Sequence, residues 1–474
     1  MPLLKNEVLK ATVWTFFQRA GSLIIGFVTN MVLARLLEPE DFGCVAIIMV
    51  FVSFADILVD SGLTSALIQK KDVSRQDVST VFSTNLIVSI ILFIGIFIAA
   101  PAIGRFVGVS NLTWYLRVES IAVLIRAFYC IQAASLNKNL KFSSLAKISV
   151  FSATSSAAVS IIMAALGCGV WSLVAKNLIF QLSICLLYRH ASKVSYKLGF
   201  YKKNFKELFS FGWAVASTTL LDVFYDNIVS FLIGKRYSVK DLGYYNQAYS
   251  LKQVPVYSVS MIISSVLFPF MSKMQDDSTR VLYNTRRVIM ATTFFTFPLL
   301  AYMFFFAKPV IVLLYSSKWL PSVGYFQILC IGGLVNAIIH IYRNVLKSIG
   351  ETKVLFVTQI IITAIGLMGV AFFLRYEIKM LVIWITVTSY VNCLLISFAT
   401  GRKIGYSIWM QFKDLFLNIL FSIVAGYVSY QIGLLIHNEI ATAFIGALLL
   451  AALYFLLHYI FKTKQLNTVL NSNR

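Results

Sequence analysis

"TVFSTNLIVSIILFIGIFIAAPAI", residues 80–103, decides the fold, because the run holds no Asp, Glu, Lys or Arg. As a helix it rises ~36 Å at ~1.5 Å per residue, enough to cross a hydrocarbon core ~30 Å thick. Its length fits a spanning helix and not a barrel strand of ~10 residues. Backbone N–H and C=O groups find no water in hydrocarbon, so a crossing segment must close its hydrogen bonds on itself.

Similar apolar runs lie on both sides of it. Approximate candidate spans are 11–36, 42–68, 80–103, 112–137, 146–167, 170–189, 208–234, 242–272, 286–312, 322–347, 353–374, 378–399, 414–434 and 440–461. The fold class expected is therefore an all-α polytopic membrane protein with about fourteen transmembrane helices. Composition agrees: 59% of residues are hydrophobic and 13% charged, against roughly 45–50% and 25% in soluble domains. So few charges cannot cover a water-facing surface. The first run is too long for the apolar core of a signal peptide and reads as a helix that stays.

The net charge is +22, from 41 Lys and Arg against 19 Asp and Glu. In a soluble protein that excess would suggest nucleic acid; here it follows the bias of basic residues toward cytoplasmic loops. With the N-terminus inside, cytoplasmic segments hold about 27 basic residues, outer loops about 10 and span interiors about 4. Both termini are then expected in the cytoplasm. The segment Arg189 to Lys206 alternates Arg189, Lys193, Lys197, Lys202, Lys203 and Lys206 with Tyr196, Phe200, Tyr201 and Phe205. Such a pattern suits a stretch lying on the anionic inner leaflet, and its position after six spans suits a linker between two lobes.

A weak internal repeat points the same way. "NMVLARLLEPEDFGCVAI" (30–47) and "IVSFLIGKRYSVKDLGYYNQA" (228–248) each end an outward-going helix, turn and begin the next. Asp41-Phe42-Gly43 and Asp241-Leu242-Gly243 match, with Arg35 and Lys235 upstream. Both first helices run outward, so the repeat is parallel, about an axis along the membrane normal.

These residues resemble a known family. "ARLLEPEDFG" (34–43) followed by "FADILVDSGLTSALIQKKD" (54–72) is similar to the first two helices of the polysaccharide transporter family. That family includes the Wzx-type O-antigen and capsule flippases and the colanic acid exporter, within the multidrug/oligosaccharidyl-lipid/polysaccharide flippase superfamily. "ASLNKNLKFSSLAKISV" (Ala134 to Val150) resembles its segment after span 4, and "GCGVWSLVAKNL" (Gly167 to Leu178) its start of span 6. The likeness covers roughly residues 5–350. Many members have twelve helices, two fewer than the count here. The resemblance implies two six-helix lobes around a central cavity that alternate access to carry an undecaprenyl-diphosphate-linked sugar repeat outward. The expected domains are an N-terminal lobe 1–190, a basic cytoplasmic linker 191–207, a C-terminal lobe 208–400, and two extra helices with a tail over 401–474.

Charges inside spans cost ~2.5–3.5 kcal/mol on insertion scales, so they face a cavity or a partner. A diphosphate is recognised by Arg or Lys, with Arg able to fork onto two oxygens. Arg19, Arg126 and Lys252 are the substrate-binding candidates. A coupling proton or sodium ion needs a carboxylate whose affinity changes between states, and two carboxylates one helical turn apart repel and retain a proton. Asp56 with Asp60, and Asp222 with Asp226, have that spacing. The bland alternative is ion pairing between helices. Glu119, near an outer end, is expected in solvent, Lys176 to snorkel outward and Arg343, near His340, inward. Sugar-facing aromatics would come from Trp14, Trp213, Tyr225, Tyr244, Tyr245, Tyr249 and Tyr257, with Asn246 and Gln247 for hydroxyls, although Trp and Tyr also mark membrane interfaces. Pro255, Pro269 and Pro298 interrupt helices and are candidate hinges.

Other chemistries lack their motifs. GxxxxGK[ST], HExxH, GxSxG and CxxC are absent, so neither ATP hydrolysis nor metal or nucleophilic catalysis is expected, and no cofactor or metal. Cys44, Cys130, Cys168, Cys185, Cys330 and Cys393 read as packing residues. The chain is expected not to be an enzyme, but a flippase of lipid-linked oligosaccharide in a bacterial inner membrane, with H+ or Na+ as coupling partner and no nucleic acid. The rivals are a multidrug cation antiporter of the same superfamily, which would favour an acidic cavity, and a membrane-embedded glycan polymerase or ligase, which would need a long outer loop.

Overall fold

The computed structural model describes residues 2–470 except 61, 71, 110, 193, 195, 196, 273–276 and 437; it leaves out the side chains of 2–12, 211, 214–216, 218, 219, 222, 257–272, 469 and 470. In chain order the helices are α1 (Pro2–Leu36), α2 (Pro39–Asp60), α3 (Leu63–Gln69), α4 (Arg75–Val107), α5 (Leu112–Glu119), α6 (Ile121–Lys138), α7 (Phe142–Ala165), α8 (Val170–Ser192) and α9 (Lys202–Arg236). There follow α10 (Val239–Ser272), α11 (Ser278–Phe305), α12 (Ala307–Tyr315), α13 (Ser322–Ser348), α14 (Thr352–Phe373), α15 (Ile378–Ile404), α16 (Ile408–Gly433), α17 (Glu439–Ile460) and α18 (Lys464–Leu470). No strand occurs among the described residues. Twelve spans among those residues, with α2–α3 and α5–α6 each taken together, are long and apolar enough to cross a membrane. The remaining two expected ranges fall on α9 and α10, 35 and 34 residues long, each holding residues left out of the description.

Helix α4 shows why this fold belongs in lipid. Its exposed stripe is Ile87, Ile91, Ile94 and Ile98, while Ser83, Asn85 and Ser89 are buried. Apolar residues outside and small polar ones inside reverse the pattern of a soluble helix. On α7, Ser149, Ser152, Ser156 and Ser160 form a buried stripe; small side chains let α1 and α8 pack closely on it.

Three expected spans are interrupted. Span 2 breaks after Asp60, where Gly62 adopts φ 69° and a Cβ would lie 1.9 Å from the Gly212 carbonyl oxygen. That left-handed conformation at a backbone contact suits only glycine. Span 4 breaks at Ser120, which both ends α5 and begins α6. The ninth expected range breaks at Phe306, between α11 and α12. Hydropathy continues across each break, so periodicity gave no warning. By contrast, α10 and α11 run as single helices through Pro255 and Pro298.

By contacts the chain divides into Met1–Gly243 and Tyr244–Arg474. In the first unit, α1 packs on α7, α7 on α8, α6 on α8 and α4, and α9 on α2, α3 and α4. In the second, α13 packs on α15 and α11, α11 on α16, α14 on α15, and α16 on α17.

The sequence repeat has a structural counterpart within the first unit. Leu37-Glu38 and Tyr237-Ser238 are two-residue turns in the same place. Asp41 accepts a hydrogen bond from the Glu38 N–H at 2.9 Å, and Asp241 from the Ser238 hydroxyl at 2.7 Å. The glycines pack reciprocally: a Cβ on Gly43 would lie 1.8 Å from the Val239 carbonyl oxygen, and one on Gly243 would lie 1.9 Å from that of Pro39. Glu40 pairs with Lys240 across the crossing at 3.1 Å.

Candidate functional site

Five intramembrane charges of the first unit, Asp56, Asp60, Glu119, Arg126 and Lys176, lie on α2, α5, α6 and α8. Asp56, one turn before the end of α2, accepts from Arg126 of α6 at 3.1 Å. The pair is not dry, since the side chains are 21% and 28% exposed. Only Nη1 of the guanidinium donates to the carboxylate; Arg126 Nε and Asp56 Oδ1 are buried without a partner. A single-point contact leaves the rest of the fork for another oxyanion. Asp60 ends α2, and its Oδ1 accepts from the Thr64 N–H at 3.3 Å, bracing the start of α3.

Glu119, expected in solvent, is fully buried. Its Oε1 accepts from the Asn177 side-chain amide of α8, and its Oε2 has no partner. The correction has a physical reason: α5 packs against α4, α8 and α2, so nearness to the end of a helix did not mean exposure. Lys176, expected to snorkel outward, is on α8. It lines a half-open cavity of ≈ 320 Å³ walled by α1, α2, α7 and α8, and no acid or hydrogen-bond acceptor engages it among the described residues. Arg19 is exposed on α1; Ser22, one turn on, lines that cavity.

The other candidates are on α9 and in the second unit. Asp226 is exposed on α9, and the Asp222 side chain lies outside the described residues. Lys252, in the second unit, is 3% exposed. Its ammonium sits 4.5 Å from the Tyr249 ring centroid, and its Cδ packs where Gly333 of α13 has no side chain. Arg343 hydrogen-bonds Gln359 of α14. Among the aromatics, Tyr244 packs edge-on to Trp319 and Tyr245 lies near Tyr249; Trp213 stacks on Phe209 in the first unit. Gln247 is buried with Nε2 unpartnered. Tyr257 and Pro269 fall among the side chains left out.

A polar cluster that the sequence reading missed ties the segment before α9 and its first turn to α4 within the first unit. Asp77, capping α4 with Ser74, accepts from Lys70 at 3.0 Å and Asn204 at 2.7 Å, and Lys70 also reaches Glu207 at 3.1 Å. The Gly199 and Tyr201 N–H groups donate to Ser83 and Thr80 of α4, at 2.9 and 3.2 Å. Partial burial pulls the Lys70 ammonium down, but the hydrogen bonds and charges of Asp77 and Glu207 outweigh it and hold its pKa above the ordinary lysine value. The only sequence signal was Ser74 followed three residues later by Asp77, a capping pattern.

Residues 32–324 match the family described as polysaccharide biosynthesis protein. The chain is 25% identical to the teichuronic acid biosynthesis protein TuaB of Bacillus subtilis, over 92% of this chain and 90% of that one. It is 22% identical to the lipopolysaccharide biosynthesis protein WzxC of Escherichia coli, with the same coverage. An uncharacterized membrane protein in the cps region of Klebsiella pneumoniae is 27% identical over 73% of this chain and 72% of its own. Among solved structures, the lipid II flippase MurJ in an inward closed conformation matches with TM-score 0.78 at 18% identity, covering 96% of this chain and 98% of that one. An inward-facing multidrug resistance transporter of the MATE family gives TM-score 0.65 at 14% identity, over 81% of this chain and 94% of that one. The structural likenesses establish the fold, and the family match spans more than half the sequence: the chain is a multi-pass membrane protein that belongs to the polysaccharide biosynthesis protein family.

Proposed function

We propose that this protein carries an undecaprenyl-diphosphate-linked oligosaccharide repeat from the cytoplasmic to the outer leaflet, without covalent chemistry, for surface polysaccharide assembly. The observation that carries the reading, beside family membership, is the half-open Arg126–Asp56 pair with its unmatched guanidinium Nε. A cation held in a span by one point of a neighbouring carboxylate can exchange that partner for a phosphate oxygen. Arg19 and Lys252 serve as further anion contacts. Asp56, Asp60, Asp222 and Asp226 are the coupling carboxylates, Asp56 being freed for H+ or Na+ when the diphosphate takes Arg126. Lobes 1–190 and 208–400 rock against each other, joined by the linker 191–207, with 401–474 as two added helices and a tail. Both termini and the linker face the cytoplasm, and the membrane is the bacterial inner membrane.

The multidrug reading is weaker, because the cavity within the first unit presents an uncompensated lysine, which repels cationic drugs. A polymerase or ligase would need a long extramembrane loop; the longest connection between the helices described is 193–201. The test is complementation. In a strain deleted for its own repeat-unit flippase, the wild-type chain restores surface glycan. Arg126→Ala and Arg19→Ala each abolish it while the protein remains in the membrane. Normal glycan from both variants would remove these residues from the mechanism.

A further inference from the structure

We infer that the Lys176 cavity is a subsite for the carboxylate of an acidic sugar in the repeat, distinct from the diphosphate contacts. The inference rests on the flippase reading and specifies one class of its cargo. The cavity holds ≈ 320 Å³, at the lower end of the ~300–1,000 Å³ typical of ligand pockets. It lies wholly within the first unit and is lined by Lys176, Asn177, Ser22 and Ser156, with Phe180 and Met49 among the apolar residues. Lys176 is its only charged residue. No acid or hydrogen-bond acceptor engages that ammonium among the described residues.

Charge count selects the ligand. An intramembrane cation without a counterion is costly, and an anion entering the cavity offsets that cost. A diphosphate carries about two charges and is matched by several cations or a forked arginine; one lysine is a point charge. Arg126 and Arg19 do not line this cavity. A single ammonium beside hydroxyls matches a monoanionic sugar. Ser156 donates to the Ala153 carbonyl and Ser22 shares a hydrogen bond with Ser149 at 3.0 Å, so their oxygens keep lone pairs for sugar hydroxyls. Phe180 offers an apolar face to a pyranose ring. Asn177 is already committed to Glu119 and fixes the wall beside the lysine.

The experiment measures binding to the full chain in lipid nanodiscs with three probes that share one polyprenyl diphosphate. These are a trisaccharide bearing a uronic acid, the methyl ester of that uronic acid, and the polyprenyl diphosphate alone. The wild type should bind the acid at least tenfold more tightly than the ester. Lys176→Met should abolish that tenfold preference while binding the ester and the bare lipid as the wild type does. Lys176→Arg should keep most of the preference, which separates charge from folding. Equal wild-type affinity for acid and ester overturns the inference, as does an equal loss on all three probes in Lys176→Met, which would assign Lys176 to the diphosphate or to structure. If the wild type binds none of the three, the flippase reading fails as well; if it binds all three alike, only the acidic-sugar subsite falls.

Discussion

At the scale of single residues, the polar groups of the first unit are held by unequal bargains. Removing one member of a buried ion pair strands the other, at ~3–5 kcal/mol. The Asp56–Arg126 pair is about a quarter exposed, and screening reduces the figure to about 1–3 kcal/mol. Asp56→Ala should therefore lower the melting temperature in detergent, and adding Arg126→Met should recover most of the loss without restoring glycan export. A double variant as unstable as the single would show that the pair is not the relevant unit. Helix periodicity placed Asp56 and Asp60 on one face correctly, because α2 is unbroken between them. Periodicity gave no sign that Ser120, between Glu119 and Arg126, ends one helix and begins another. Depth was the harder quantity. Glu119 is buried by neighbouring helices rather than by its place along its own, and nothing local in the sequence encodes those neighbours. Lys176-Asn177 within an apolar run was the only trace of the cavity, and a snorkelling lysine explains that pattern equally well.

At the scale of elements, the start of α9 and the residues before it, expected as a basic stretch on the inner leaflet, are clamped to α4. Asp77 is the node, joining Ser74, Lys70 and Asn204. Its loss leaves Lys70 with Glu207 alone and opens the cap of α4. Asp77→Ala should cost about 2–4 kcal/mol and speed trypsin cleavage at Lys197, Lys202 and Lys203. Unchanged cleavage would show the linker held by other means. The pH dependence has a definite sign. A lysine whose folded pKa is raised contributes stability that is fully present below the unfolded value and lost as pH rises through the folded one. With Lys70 raised above its ordinary 10.5, linker protection should be flat between about pH 6 and 9. A decline within that window would assign the clamp to another group. The two helix starts at Gly43 and Gly243 leave less room still. A methyl group on either would meet backbone, which cannot rotate away, so Gly43→Ala or Gly243→Ala should cost about 1–3 kcal/mol by overpacking, read as a drop in melting temperature. The Asp-x-Gly repeat was visible in the sequence; its reason, a reciprocal helix crossing, required coordinates.

At the scale of the whole molecule, the spans were legible because hydrocarbon thickness imposes a length that soluble folds do not. Each expected range lies on a helix or a helix pair. What hydropathy could not tell is which helices form a unit, since lipid-facing and buried apolar residues look alike. The last two long helices, expected as additions, are built into the second unit. Arg286 of α11 forks onto Asp414 of α16, Nε to Oδ2 at 2.7 Å and Nη2 to Oδ1 at 2.8 Å. Tyr406 donates to the same carboxylate at 2.7 Å, and Gln465 of α18 donates to the Asp414 carbonyl at 3.1 Å. Phe306, fully buried, occupies the space left by Gly433 and Gly446. Asp414 therefore joins α11, α16 and the terminal α18. If α16 and α17 were merely appended, a chain stopped after Ile404 would still accumulate in the membrane and export glycan. The packing argues otherwise: such a chain strands Arg286 and bares Phe294 and Phe306, and it should be degraded. Asp414→Ala separates charge from bulk, since it keeps every helix but leaves the guanidinium and the Tyr406 hydroxyl without their acceptor. It should destabilise by about 3 kcal/mol, and Arg286→Met together with Asp414→Leu should recover part of that loss, because a packed apolar pair can replace a buried salt bridge. Normal accumulation of the truncated chain, or a silent Asp414→Ala, would return these helices to the status of an appendage.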